Sequence, residues 1–135
     1  MYTIRKLFHF EAAHALTSSY SKCCQQFHGH SYLVELFFRS EKLNADGMVM
    51  DFGQVKDLVG GIVNQWDHKM VIPTNHDIKV GFIALGEGVI AVPYNPTAEN
   101  MARNFYDQIK NVIPCLSKVR VHETATGWAE FSEEP

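Results

Sequence analysis

HFEAAHALTSSYSKCCQQFHGHSY, residues 9–32, holds four of the chain's seven histidines and two of its three cysteines. It also joins two stretches of strong alternation. Upstream, apolar residues favour even positions at Tyr2, Ile4, Phe8 and Phe10, a period of two that predicts a strand. Downstream, from about Gly29 to Arg39, Tyr32, Val34, Leu36 and Phe38 share one face of a second strand. The quoted stretch is therefore the connection of a β-hairpin, with histidines at both strand ends and cysteines between them.

Beyond this hairpin, NADGMVMDF predicts a turn and a short buried strand. Phe52 to Trp66 places Val55, Leu58, Val59, Ile62, Val63 and Trp66 at helical spacing, with Asp51 as N-cap. Gly60-Gly61 weakens that helix by roughly 1 kcal/mol per glycine, so packing must hold it. A second helix begins after Thr97, a capping residue. Its stripe is Met101, Ala102, Phe105, Tyr106, Ile109, Val112 and Ile113, and Pro114 ends it. KVRVHET and GWAEF read as two short strands turning near Thr126-Gly127. The segment from Val71 to Pro93 is long, with a strand expected near Gly88 to Val92.

The order β-β-α-α-β-β predicts one α+β domain over residues 1–135, an antiparallel sheet with two helices on one face. Its open edges favour closure through oligomerisation. The 135 residues suffice for a core without disulfides. No apolar run approaches the roughly 20 residues of a membrane helix, and no signal-peptide block opens the chain, so the expected location is cytoplasmic. A net charge of −3 without a basic run argues against nucleic-acid binding.

His28 and His30 stand at i, i+2, so both imidazoles point to one face, about 7 Å apart along the strand. The hairpin brings His14 alongside. Three imidazoles with an open position form a catalytic zinc pattern. The rival is a closed Cys2His2 site, but adjacent Cys23 and Cys24 diverge and lack the usual two-to-four-residue separation. Packed histidines without metal are the third reading. Beside a metal, Cys24 can supply a thiolate, although a small core residue is the ordinary role of cysteine. Cys115, after Pro114, fits that ordinary role, and spacing does not separate Cys23 from Cys24. Asp67-His68 can be a proton-transfer pair or a surface pair at a helix end. Glu123 can accept paired N–H donors of a heterocycle, or simply end a strand. Thr97 and Glu99 have a helix-start explanation.

FEAAH, CxxxHGH, MVMDF, WDHK, PTAEN and HET occur in this order from Phe10 to about Thr126. Together they resemble the 6-pyruvoyl-tetrahydropterin synthase family, and within it the branch that makes 6-carboxy-5,6,7,8-tetrahydropterin for queuosine biosynthesis. The resemblance implies a tunnelling fold (T-fold), a homo-oligomer, typically a hexamer, with sheets joined into a barrel, and sites at subunit interfaces. It implies His14, His28 and His30 as zinc ligands, Cys24 as catalytic thiol, and Asp67 with His68 as a proton relay from a neighbouring subunit. Glu123 becomes the pterin anchor, and Thr97 and Glu99 line the pterin pocket. The implied reaction takes 7,8-dihydroneopterin triphosphate to the carboxy product, acetaldehyde and triphosphate, with Lys22 and Arg39 as candidate triphosphate contacts.

Three residues separate Cys24 from His28, as in that branch. The pyruvoyl-forming members place a cysteine where Lys22 stands, and a folate-linked branch has a glutamate where this chain has Gln25-Gln26. Departures are Trp66 for an aliphatic residue, Ala125 where some members carry cysteine, a longer segment 74–95, and the Cys23-Cys24 doublet. A non-catalytic zinc-stabilised binding module is the competing reading from a different class.

Overall fold

The computed structural model describes residues 1–74 and 88–134. Its strands are β1 (Tyr2–His14), β2 (His28–Ser40), β3 (Lys69–Pro73), β4 (Val89–Val92), β5 (Leu116–His122) and β6 (Trp128–Phe131). Its helices are α1 (Phe52–Asn64) and α2 (Ala98–Val112), and a short 3₁₀ turn spans Lys22–Gln25. The strands form one sheet in the order β4-β3-β1-β2-β5-β6.

The expected hairpin is the backbone of this sheet. β1 and β2 pair antiparallel from Tyr2 opposite Ser40 to His14 opposite His28. Alternation decides the faces: Phe10, Ala12 and His14 are buried while His9 and Glu11 are exposed, and Tyr32, Val34, Leu36 and Phe38 are fully buried. β5 joins β2, and β6 joins β5, both antiparallel. β3 and β4 then extend the sheet on the other side in parallel, Ala12 opposite Lys69 and Met70 opposite Val89. The strand expected near Gly88–Val92 is β4. β3 was not expected, because the short apolar run KMVIP has no alternation to announce it. The longer segment 74–95 falls largely on residues 75–87, outside the described residues.

The short strand expected in NADGMVMDF does not form. The Asn44 side chain instead accepts hydrogen bonds from the Asp46 and Met48 amides, at 3.0 Å each, and Gly47 takes a positive φ of 77°. The bends that result carry half-buried Val49 and Met50 to the core without a strand partner.

Both helix starts are as expected. Asp51 Oδ1 accepts from Gly53 N at 2.7 Å and Gln54 N at 3.3 Å, and Thr97 Oγ1 accepts from Asn100 N at 3.2 Å. α1 ends at Asn64, yet Trp66, in the following turn, remains 2% exposed. Leu58 and Val112, expected in the apolar stripes, are exposed, while Ile113 is buried beyond the end of α2. Phe10 stacks on Tyr32 with ring centroids 4.7 Å apart and meets Trp66 and Phe105 edge-on. Aromatic contacts of this kind add roughly 0.5–1.5 kcal/mol each beyond area burial. Gly60 serves the same packing: a Cβ there would meet the Phe8 ring at 3.5 Å. The backbone of α1 thus lies close on β1, which offsets the poor helix propensity of glycine.

On the opposite face, Glu35 is buried between Arg120 at 3.3 Å, His122 at 3.1 Å and Arg5 at 3.7 Å. A buried carboxylate is tolerated when it is paired in this way.

Candidate metal centre

His14 ends β1 and His28 opens β2, directly opposite one another in the ladder. His30 follows two residues on, on the same face. Strand parity and register thereby bring the three imidazoles together, with one ligand atom from each within 4.8 Å of the others. No cysteine belongs to this group, which removes the closed Cys2His2 arrangement. Cys24 is half-buried in the 3₁₀ turn and Cys23 is exposed.

Hydrogen bonds to main-chain carbonyls place a proton on Nδ1 of two rings. His14 Nδ1 lies 2.7 Å from the Pro96 carbonyl, and His28 Nδ1 lies 2.7 Å from the Gln26 carbonyl. A carbonyl only accepts, so each Nδ1 carries a proton, and in a neutral ring the Nε2 then presents a lone pair. Those Nε2 atoms face one another at 2.8 Å. Two lone pairs at that distance repel unless a cation lies between them, so the donor set fits a metal. Charge points the same way. Burial, with smaller contributions from His28 and His30, lowers the His14 pKa to about 4, and burial also lowers that of His30. Both rings are held neutral, the state a metal requires.

Glu123 follows β5, and its Oε1 lies 4.0 Å from His14 Nε2. Burial raises its pKa, and the Glu99 carboxylate in the first turn of α2 raises it further. Glu99 itself is exposed, and Thr97 is engaged as the cap of α2.

Asp67 and His68 form a pair at 2.9 Å. Asp67 Oδ1 accepts from the Glu11 amide at 2.8 Å, and the His68 amide donates to the Glu11 carbonyl at 2.6 Å. His68 adopts a positive φ of 60°, a conformation that costs roughly 1–2 kcal/mol for a non-glycine residue. The Glu11 bond, and then the His68 ring, hold the Asp67 carboxyl below its ordinary pKa. The His68 side chain is 80% exposed. With Glu11, Gly29 and Ser31 it borders a cleft of about 540 Å³ on the exposed side of the hairpin. His30 borders the same cleft, although by strand parity its ring belongs with His14, His28, Phe10 and Tyr32. Arg39 lies at the far end of β2 from His28, roughly 35 Å away at about 3.3 Å per residue, and pairs with Glu134 at 3.0 Å. It does not approach the histidines of its own chain.

Sequence reasoning missed the orienting groups. The Pro96 and Gln26 carbonyls are main-chain atoms and leave no residue-type signal. Tyr32, whose hydroxyl is 3.2 Å from His14 Nδ1, reads as a core residue. Its even spacing from His28 and His30 was the available sign that it shares their face.

A helix-backed sheet with a three-imidazole cluster at its central hairpin defines an α+β protein with a site that could hold a metal ion. Residues 3–134 match the model of the 6-pyruvoyl tetrahydropterin synthase family, and the chain belongs to that family. A relative from Aquifex aeolicus, named 6-carboxy-5,6,7,8-tetrahydropterin synthase, is 32% identical, with 97% of this chain and 98% of the relative covered. Among solved structures, an uncharacterized protein from Wolinella succinogenes matches with a TM-score of 0.86 at 20% identity, covering 98% of each chain. The 6-pyruvoyl tetrahydropterin synthase of Caenorhabditis elegans matches with a TM-score of 0.73 at 24% identity, covering 97% of this chain and 94% of that one. These two likenesses confirm the T-fold architecture.

Proposed function

We propose that this chain is a zinc-dependent lyase that converts 7,8-dihydroneopterin triphosphate to 6-carboxy-5,6,7,8-tetrahydropterin, acetaldehyde and triphosphate, within queuosine biosynthesis. The observation that carries it is the pair of imidazole lone pairs facing each other beside Glu123. The Aquifex aeolicus relative carries the name of that activity.

His14, His28 and His30 would hold the zinc. When bound, zinc is a Lewis acid that lowers the pKa of substrate side-chain hydroxyls. Glu123 anchors the pterin ring through its amino and N–H groups, a pairing that requires the carboxylate form. Thr97 and Glu99 border the ring. Cys24 takes protons from the side-chain carbons next to the hydroxyl oxygens. His68, oriented by Asp67, gives and takes the hydroxyl protons.

Within one chain His68 borders a cleft on the exposed side of the hairpin that His30 also lines, while strand parity puts the three clustered rings on the Phe10 face. That supports a relay supplied by a second subunit, and with it a homo-oligomer, read as a hexamer, with sites at subunit interfaces. No described helix is long and apolar enough to cross a membrane, and a cytoplasmic location is the accompanying reading.

The test is incubation of the zinc-loaded protein with 7,8-dihydroneopterin triphosphate and product identification by mass spectrometry. The carboxy product together with acetaldehyde is expected. A pyruvoyl product moves the chain to the other branch of the family, and no turnover leaves the binding-module reading.

A further inference from the structure

The loop between β1 and β2 carries Cys24, and much of its bonding is internal. Leu16 N donates to Cys24 O at 3.1 Å, Cys24 N to Ser21 O at 3.0 Å, and Gln26 N to Cys23 O at 3.2 Å. These bonds shape the loop without fixing it against the rest of the molecule. Asn95 reaches it from outside. Its Oδ1 accepts from Thr17 N at 2.9 Å and from Thr17 Oγ1 at 3.3 Å, and its Nδ2 donates to Ser18 O at 3.3 Å. An amide is the side chain that offers an acceptor and a donor side by side, and here both are used.

Asn95 is itself held to the start of α2. Its carbonyl accepts from Thr97 N at 2.7 Å and from Asn100 Nδ2 at 2.9 Å. The next carbonyl, that of Pro96, accepts the His14 Nδ1 proton. One dipeptide therefore grips a histidine of the cluster through its main chain and the cysteine loop through the Asn95 side chain.

We infer that Asn95 is a positioning residue that keeps the Cys24 loop in register with the three histidines. The inference rests on the proposed role of Cys24 as the reacting thiol. Removal of the amide releases Thr17 and Ser18 at the start of the loop, while the Gln26 carbonyl stays on His28 and the Pro96 carbonyl on His14. A displacement of about 1 Å between reacting groups can cost about 10²-fold in rate.

Asn95→Ala and Asn95→Asp are compared with wild type as full-length, zinc-loaded protein. Four quantities are measured: zinc content, kcat, KM, and the iodoacetamide alkylation rate of Cys24, with the site located by fragment mass spectrometry. Asn95→Ala is expected to keep its zinc, to lose at least about tenfold in kcat with KM within about threefold, and to alkylate several times faster. Asn95→Asp keeps the acceptor for Thr17 and loses the donor to Ser18, so it falls between wild type and Asn95→Ala, and it carries the test if Asn95→Ala does not fold. Wild-type kcat with wild-type alkylation overturns the inference. So does a kcat loss matched by an equal loss of zinc, because that places the effect on His14 rather than on the loop. If wild type does not turn over 7,8-dihydroneopterin triphosphate, the functional proposal fails. The alkylation and zinc measurements then still decide the role of Asn95.

Discussion

His14 Nε2 and His28 Nε2 face each other at 2.8 Å while the Nδ1 of each ring is committed to a carbonyl. His28→Ala removes one of the two opposed lone pairs and should lose both zinc and turnover. Cys24→Ala lies outside the cluster and should keep zinc while losing turnover. Metal content by elemental analysis and product formation separate the two. Loss of zinc from Cys24→Ala would return the cysteine to the metal. An inactive Cys23→Ala beside an active Cys24→Ala would move the thiol by one residue.

Chelated protein should be acid-sensitive in a defined window. His14 titrates at about 4 when folded and near 6.5 in an unfolded chain. Between these values the unfolded state binds the extra proton. Stability of the metal-free protein therefore falls as pH drops from about 6.5 to about 4, by up to about 1.4 kcal/mol per pH unit from this ring, and His30 adds in the same direction. Urea unfolding at several pH values reads the slope, and a flat profile would contradict it.

Glu99 raises the pKa of Glu123, so its removal should leave Glu123 ionised to lower pH. Glu99→Gln is then expected to move the acidic limb of kcat/KM to lower pH. Glu123→Gln, which removes charge-assisted bonds of about 1.5–3 kcal/mol, should lower kcat/KM about 10- to 150-fold. An unchanged acidic limb in Glu99→Gln would show that the two carboxylates are not coupled during turnover.

Thr97 caps α2, and its loss has a stability cost whatever its place in the pocket. Thr97→Ala should cost about 1 kcal/mol, read as a lower unfolding midpoint, and Thr97→Ser should restore it. If Thr97→Ser has wild-type stability but reduced kcat/KM, the methyl group contacts substrate as well.

The main hairpin follows from alternation alone. Tyr32, Val34, Leu36 and Phe38 allow one register against Phe8 and Phe10, because a slip of one residue would expose every one of them. That register also sets His14 opposite His28, so the three histidines could be chosen from parity before any packing was known. Both caps were equally readable, since Asp51 and Thr97 act on amides two or three residues away. These features depend on neighbours in the chain.

What the sequence could not specify depends on contacts between distant segments. The parallel pairing of β3 with β1 joins Lys69 to Ala12, and nothing local in KMVIP encodes a partner that remote. Asn44 closes a turn where a strand was expected, through side-chain bonds to the Asp46 and Met48 amides. Glu35 is buried only because Arg5, Arg120 and His122, from two other strands, converge on it. The Nδ1 protons of His14 and His28 rest on the carbonyls of Pro96 and Gln26, atoms every residue possesses and only folding can aim. Side-chain periodicity named the candidate ligands; the long-range placement of main-chain atoms decided which nitrogen of His14 and of His28 is committed to a carbonyl.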